Sequence, residues 1–165
     1  MNFNRQAMLC TQAWKLRSRG FTLLELMITI AVLAILLGLA APSFSRALAE
    51  QRVRSAASEV YFALLAARSS AITRNEEVEI SPASGGWGAG WEIHPKLNTA
   101  LKLKEGGELK DVSVTANGGT VVFRASGRAA NAVTFSFAAK AFTEIGRCVR
   151  LDASGRPLTE KGACS

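Results

Sequence analysis

Histidine is almost absent from this 165-residue chain: His94 is the only one, and the three cysteines never fall at C-x-x-C spacing. That scarcity leaves no ligand set for a zinc ion or a haem. It also removes the usual base for an activated serine or cysteine, and no G-x-S-x-G elbow or paired carboxylates replace it. No catalytic residue, metal or cofactor is therefore expected, and the chain is not read as an enzyme. Proline is sparse at four residues, nothing repeats at a fixed period, and no low-complexity linker divides the chain. The length suits one small domain beyond an N-terminal segment, and a second independent core is not expected.

Charge is missing from one long stretch. Between residues 21 and 41 the only ionisable side chain is Glu25, and about 20 apolar residues at 1.5 Å each match the roughly 30 Å hydrocarbon core of a bilayer. An acid inside such a segment costs about 2.5 to 3.5 kcal/mol on insertion scales, so a use for it must exist. Three readings compete. A cleaved secretory signal has a candidate small-x-small site at Gly38-Leu39-Ala40, but the apolar run is too long and contains Glu25. A plain anchor explains the length and leaves Glu25 idle.

The third reading follows from the order Gly20-Phe21-Thr22-Leu23-Leu24-Glu25, with Pro42 as the twenty-second residue counted from Phe21. This sequence resembles the type IV pilin and pseudopilin family. The resemblance implies that a prepilin peptidase cuts after Gly20 and methylates Phe21. It further implies that Glu25 pairs with the Phe21 ammonium of a neighbouring pilin or pseudopilin, which sets one axial stagger between helices. Residues 1–20 are then a cleaved leader, 21–41 the transmembrane and filament-core helix, 42–74 its amphipathic continuation, and 75–165 a β-rich domain.

Arg5, Lys15, Arg17 and Arg19 all precede Gly20, and their removal leaves +3 of the formal +7. They read as cytoplasmic charge that orients a single-pass segment in bacterial inner-membrane lipid, with the C-terminal domain in the periplasm. Cys10 lies in the leader. Cys148 and Cys164 remain as an even pair in an oxidising compartment, where a disulfide is expected.

Beyond Pro42, which is expected to kink the helix, Val53, Ala57, Val60, Leu64, Ala67 and Ala71 recur at steps of four and three. They mark one apolar stripe, with Arg52, Arg54, Glu59, Arg68 and Arg74 off it. From Asn75 the period becomes alternating, and six strands are expected around residues 78–80, 91–93, 112–114, 121–123, 133–137 and 148–151. Turns are expected at Gly85-Gly86, Gly106-Gly107, Asn117-Gly118-Gly119, Ser126-Gly127 and Ser154-Gly155. The glycine-rich stretch at 84–91 leads into a strand, so it reads as a hairpin rather than a phosphate loop, with Trp87 and Trp91 pinning it to the core. The fold class is α+β, type IV pilin-like: a long kinked N-terminal helix, transmembrane in its first half, packed on a C-terminal antiparallel sheet.

The segment 61–74, the Trp-Gly-x-Gly-Trp stretch, Phe123-Arg124-Ala125-Ser126-Gly127-Arg128 and Arg150-Leu151-Asp152-Ala153-Ser154-Gly155-Arg156 are similar to the GspH/FimT-type minor pilins and pseudopilins. The resemblance implies a subunit at the tip of a type IV pilus or of a type II secretion pseudopilus. Some members capture DNA through a C-terminal basic patch, for which Arg128, Arg147, Arg150, Arg156 and Lys161 are the candidates. The Gly-Arg-x-Arg ending is incomplete, because Pro157 and Leu158 follow Gly155-Arg156. The competing and preferred reading is a solvated face on which Arg150 and Asp152 compensate each other.

Overall fold

The computed structural model describes residues 20–164, and the basic leader residues and Cys10 lie outside them. One helix, α1 (Leu23–Arg74), is followed by eight strands: β1 (Val78–Ala83), β2 (Gly86–Pro95), β3 (Lys104–Gly106), β4 (Val112–Ala116), β5 (Val121–Phe123), β6 (Val133–Ala139), β7 (Gly146–Leu151) and β8 (Pro157–Lys161). The chain divides into two compact units after Ala40.

In the second unit all six stripe residues of α1 are buried, together with Ala56 and Ala63. Alanine at so many of these positions lets strands approach the helix closely while Val53, Val60 and Leu64 fill the space between. The helix ends in a left-handed cap. Asn75 has φ 53°, its amide donates to the Ile72 carbonyl at 3.3 Å, and the Glu76 amide donates to the Ala71 carbonyl at 3.3 Å. That bond pair closes the last turn and frees the chain to reverse into β1.

Two antiparallel sheets form where one was expected, in the orders β3-β2-β1-β5 and β4-β6-β7-β8. Strand β6 alternates strictly, with Val133, Phe135, Phe137 and Ala139 buried and the residues between them partly exposed. Facing them across the β6–β7 register are Leu151 opposite Val133 and Val149 opposite Phe135. The inner faces of both sheets share one core with the helix stripe.

All six expected strands exist. Two were missed, β3 and β8, because Lys104-Glu105-Gly106 and Pro157-Leu158-Thr159-Glu160-Lys161 carry edge chemistry, charged and proline-led, that reads as loop. The turn expected at Gly106-Gly107 is corrected accordingly, since Gly106 ends β3 opposite Trp91. A Cβ at position 106 would lie 2.2 Å from the Trp91 ring, so the glycine leaves the space this indole occupies. The hairpin reading of the glycine-rich stretch holds: Ala83 pairs with Gly86, and both tryptophans are buried. Trp87 stands edge-on to Phe135 at 4.8 Å, and the Trp91 indole donates to the Glu59 carboxylate at 3.3 Å.

Candidate functional site

Gly20, Phe21 and Thr22 precede the first helical turn, and with Glu25 they line one open depression. Thr22 caps the helix. Its hydroxyl accepts the Glu25 amide at 3.2 Å, and its carbonyl accepts the Leu26 amide at 3.1 Å. The pattern Thr-x-x-Glu is the sequence signature of such a cap, and it places the carboxylate near the positive end of the helix dipole. Thr22 was legible on that pattern and was missed.

Along this first unit every apolar side chain from Leu23 to Leu39 is exposed. Among the described residues no ion pair or side-chain hydrogen bond engages the Glu25 carboxylate. Among the described residues, a Cβ on Gly20 would meet nothing within 4 Å, so no packing among them calls for glycine there. α1 continues through Pro42 as helix, and the Ser45 hydroxyl donates to the Pro42 carbonyl at 2.9 Å.

In the second unit the expected disulfide is present, Cys148 to Cys164, with Cα atoms 5.0 Å apart. It ties the inner strand β7 to the segment following the edge strand β8.

The five candidate DNA-binding residues fall into three places. Arg147 shares a side of β7 with Val149 and Leu151 and lines a recess with Lys161, Glu50 and Glu144. Arg150 is on the opposite side of β7, where Glu160 lies 3.8 Å away. Arg128 and Arg156 end two matching Ala-Ser-Gly-Arg turns, at 125–128 and 153–156. The expectation that Asp152 compensates Arg150 is corrected: β7 ends at Leu151, and Asp152 folds into the following turn. There its carboxylate accepts the Ser154 hydroxyl and the amides of Ser154 and Arg156, which hold it below the usual carboxylate range.

Among the described residues, no group of three or more histidine, cysteine or acidic side chains is placed to hold a metal ion.

The family described as Type II transport protein GspH matches residues 56–155, more than half of the chain. The chain belongs to the GspH family. A second match, the prokaryotic N-terminal methylation motif, covers residues 15–41 and so includes Gly20, Phe21 and Glu25. GspH-family chains are pilin- or pseudopilin-type structural subunits, not known enzymes. The GspH-type fold recurs in the Pseudomonas aeruginosa type IV minor pilin FimU, with TM-score 0.60 and 23% identity over 67% of this chain and 89% of that one. It recurs in the Vibrio cholerae minor pseudopilin EpsH of the type 2 secretion system, with TM-score 0.55 and 13% identity over 67% and 97%. Escherichia coli GspH follows, with TM-score 0.50 and 17% identity over 69% and 91%. No curated protein matches the chain.

Proposed function

We propose that this minor pilin or pseudopilin is anchored by residues 21–41 in the bacterial inner membrane, with its two sheets in the periplasm. A prepilin peptidase removes residues 1–20 and methylates Phe21. The subunit then enters a type IV pilus or a type II secretion pseudopilus, where Glu25 pairs with the Phe21 ammonium of a neighbouring subunit. Its role is assembly, without catalysis.

One observation supports this reading: a lone acid in the first turn of α1, within a stretch, residues 23–41, that is otherwise uncharged and exposed throughout among the described residues. In hydrocarbon an unpaired carboxylate and an unpaired ammonium are both costly, so each stabilises the other only at one stagger. The Thr22 cap satisfies the Glu25 amide and leaves the carboxylate for that partner. The five basic candidates, Arg128, Arg147, Arg150, Arg156 and Lys161, are split between the two sides of β7 and the two Ala-Ser-Gly-Arg turns, and a DNA-receptor role is not part of the proposal.

Replacing Glu25 by Val tests it. Membrane insertion should persist while recovery of the chain in sheared filaments is lost. Incorporation at the normal level contradicts the pairing.

A further inference from the structure

Asn117 follows the last residue of β4 and closes the β4–β6 ladder with its side chain. Its amide donates to the Thr134 carbonyl at 3.2 Å, whereas the Thr134 amide donates to the Asn117 side-chain oxygen, Oδ1, at 2.8 Å. The side chain thus takes the place that a backbone carbonyl would hold, and the main chain turns away towards β5. Asn117 is exposed.

Gly118 comes next, outside any strand, and among the described residues its amide donates to no acceptor. Of the four asparagines among the described residues, only Asn117 precedes a glycine. Asn75, Asn98 and Asn131 precede Glu76, Thr99 and Ala132, each of which carries a Cβ beside its amide nitrogen.

The Asn117 Cγ and the Gly118 nitrogen are the two ends of a five-membered ring that one new bond would close. The nucleophile is unengaged, and no Cβ shields it. The Thr134 amide already sits on Oδ1, where negative charge develops as the nitrogen adds to Cγ. The Asn117 Nδ2, on an exposed side chain, donates to nothing among the described residues and is free to leave.

We propose that Asn117-Gly118 is a site of self-modification in the folded chain. Hydroxide removes the Gly118 amide proton, the nitrogen bonds to Cγ, and the Cγ–Nδ2 bond breaks, with Nδ2 taking a proton from water and leaving as ammonia. Water then opens the succinimide at either carbonyl. Opening at Cγ gives aspartate, and opening at the former backbone carbonyl gives isoaspartate. No oxidant or reductant is consumed, and either product adds a negative charge.

The two products differ in what they do to the sheet. Aspartate keeps an oxygen where Oδ1 stands and so keeps the Thr134 bond. Isoaspartate routes the main chain through Cβ and Cγ and leaves the carboxylate directly on Cα, so the Thr134 amide loses its acceptor and the ladder ends one pair earlier. Nothing in this chemistry depends on Glu25 or on the assembly role.

The test uses the full chain purified in detergent, aged at mildly alkaline pH and followed by peptide mapping and isoaspartyl methyltransferase labelling. Gly118→Ala is the control variant: Gly118 lies outside the left-handed region, and a Cβ there would meet Val133 at 3.4 Å, an ordinary contact, so the fold is kept. Asn117 should convert at least about tenfold faster than Asn75, Asn98 or Asn131, and Gly118→Ala should slow it at least about tenfold. Hydrogen exchange at the Thr134 amide should stay slow in Asn117→Asp and become fast in the isoaspartyl fraction. Conversion no faster than at the other three asparagines, conversion unchanged by Gly118→Ala, or conversion seen only in denaturant overturns the proposal. A Thr134 amide that exchanges alike in both products overturns the role given to its bond.

Discussion

Gly155 packs backbone to backbone on Gly127: a Cβ at position 155 would lie 2.1 Å from the Gly127 carbonyl oxygen. Both glycines have positive φ, 78° and 75°, and both close Ala-Ser-Gly-Arg turns, through amides donated to Asp152 and Arg124. Arg68 of α1 locks the pair by donating to the Gly155 carbonyl at 3.0 Å, while Ile72 fills the space a side chain at 127 would need. Two hairpins from different sheets are thereby clasped to one helix. Gly155→Ala should cost about 2 kcal/mol or more, from the left-handed backbone and the collision together. Thermal denaturation of the detergent-solubilised chain should show a Tm lower by at least about 5 °C. An unchanged Tm contradicts the clasp.

The Cys148–Cys164 bridge spans a sequence separation of 16. On the chain-entropy model a loop of that size contributes about 3 kcal/mol, so the double change to Ala should lower denaturant resistance by that order. Mobility that differs between reduced and non-reduced electrophoresis confirms the bridge in the purified chain.

Trp91 rests in the space left by Gly106 and donates to Glu59. Gly106→Val should eject the indole and shift tryptophan emission to the red. Glu59→Gln keeps an acceptor and should be nearly neutral, whereas Glu59→Ala should cost about 1 kcal/mol. Equal effects of the two Glu59 variants would show that the hydrogen bond contributes nothing.

Much of this was legible in the sequence. Every stripe residue of α1 from Val53 to Ala71 is buried, because a period near 3.6 in a half-buried helix has one solution. β6 was equally plain, its alternation running through Phe135 and Phe137. What escaped depends on partners distant in sequence. Gly106 reads as a turn former until Trp91 is placed across from it, and β8 is a strand only because β7 supplies its hydrogen bonds. The split of Arg147 and Arg150, by contrast, was open to reading from spacing alone. Arg147 and Arg150 are three residues apart on one strand, so they point to opposite sides of the sheet.

Glu77 lies below the usual carboxylate range, first through the hydrogen bond from Lys96, then through that cation's charge, with Arg124 adding to it. A depressed folded-state value means that its contribution to stability is present at neutral pH and is lost as acid carries the pH down through that value. Glu77→Gln should therefore lower stability at pH 7 and flatten the acid limb below about pH 4. A limb as steep as that of the parent chain excludes Glu77 as its source.

Intact mass and N-terminal fragmentation of the chain purified from its native membranes bear on the proposal most directly. A polypeptide opening with methylated Phe21 is the expected result. One that retains Met1, or begins at Ala41, contradicts processing behind Gly20 and removes the amine that Glu25 is proposed to meet.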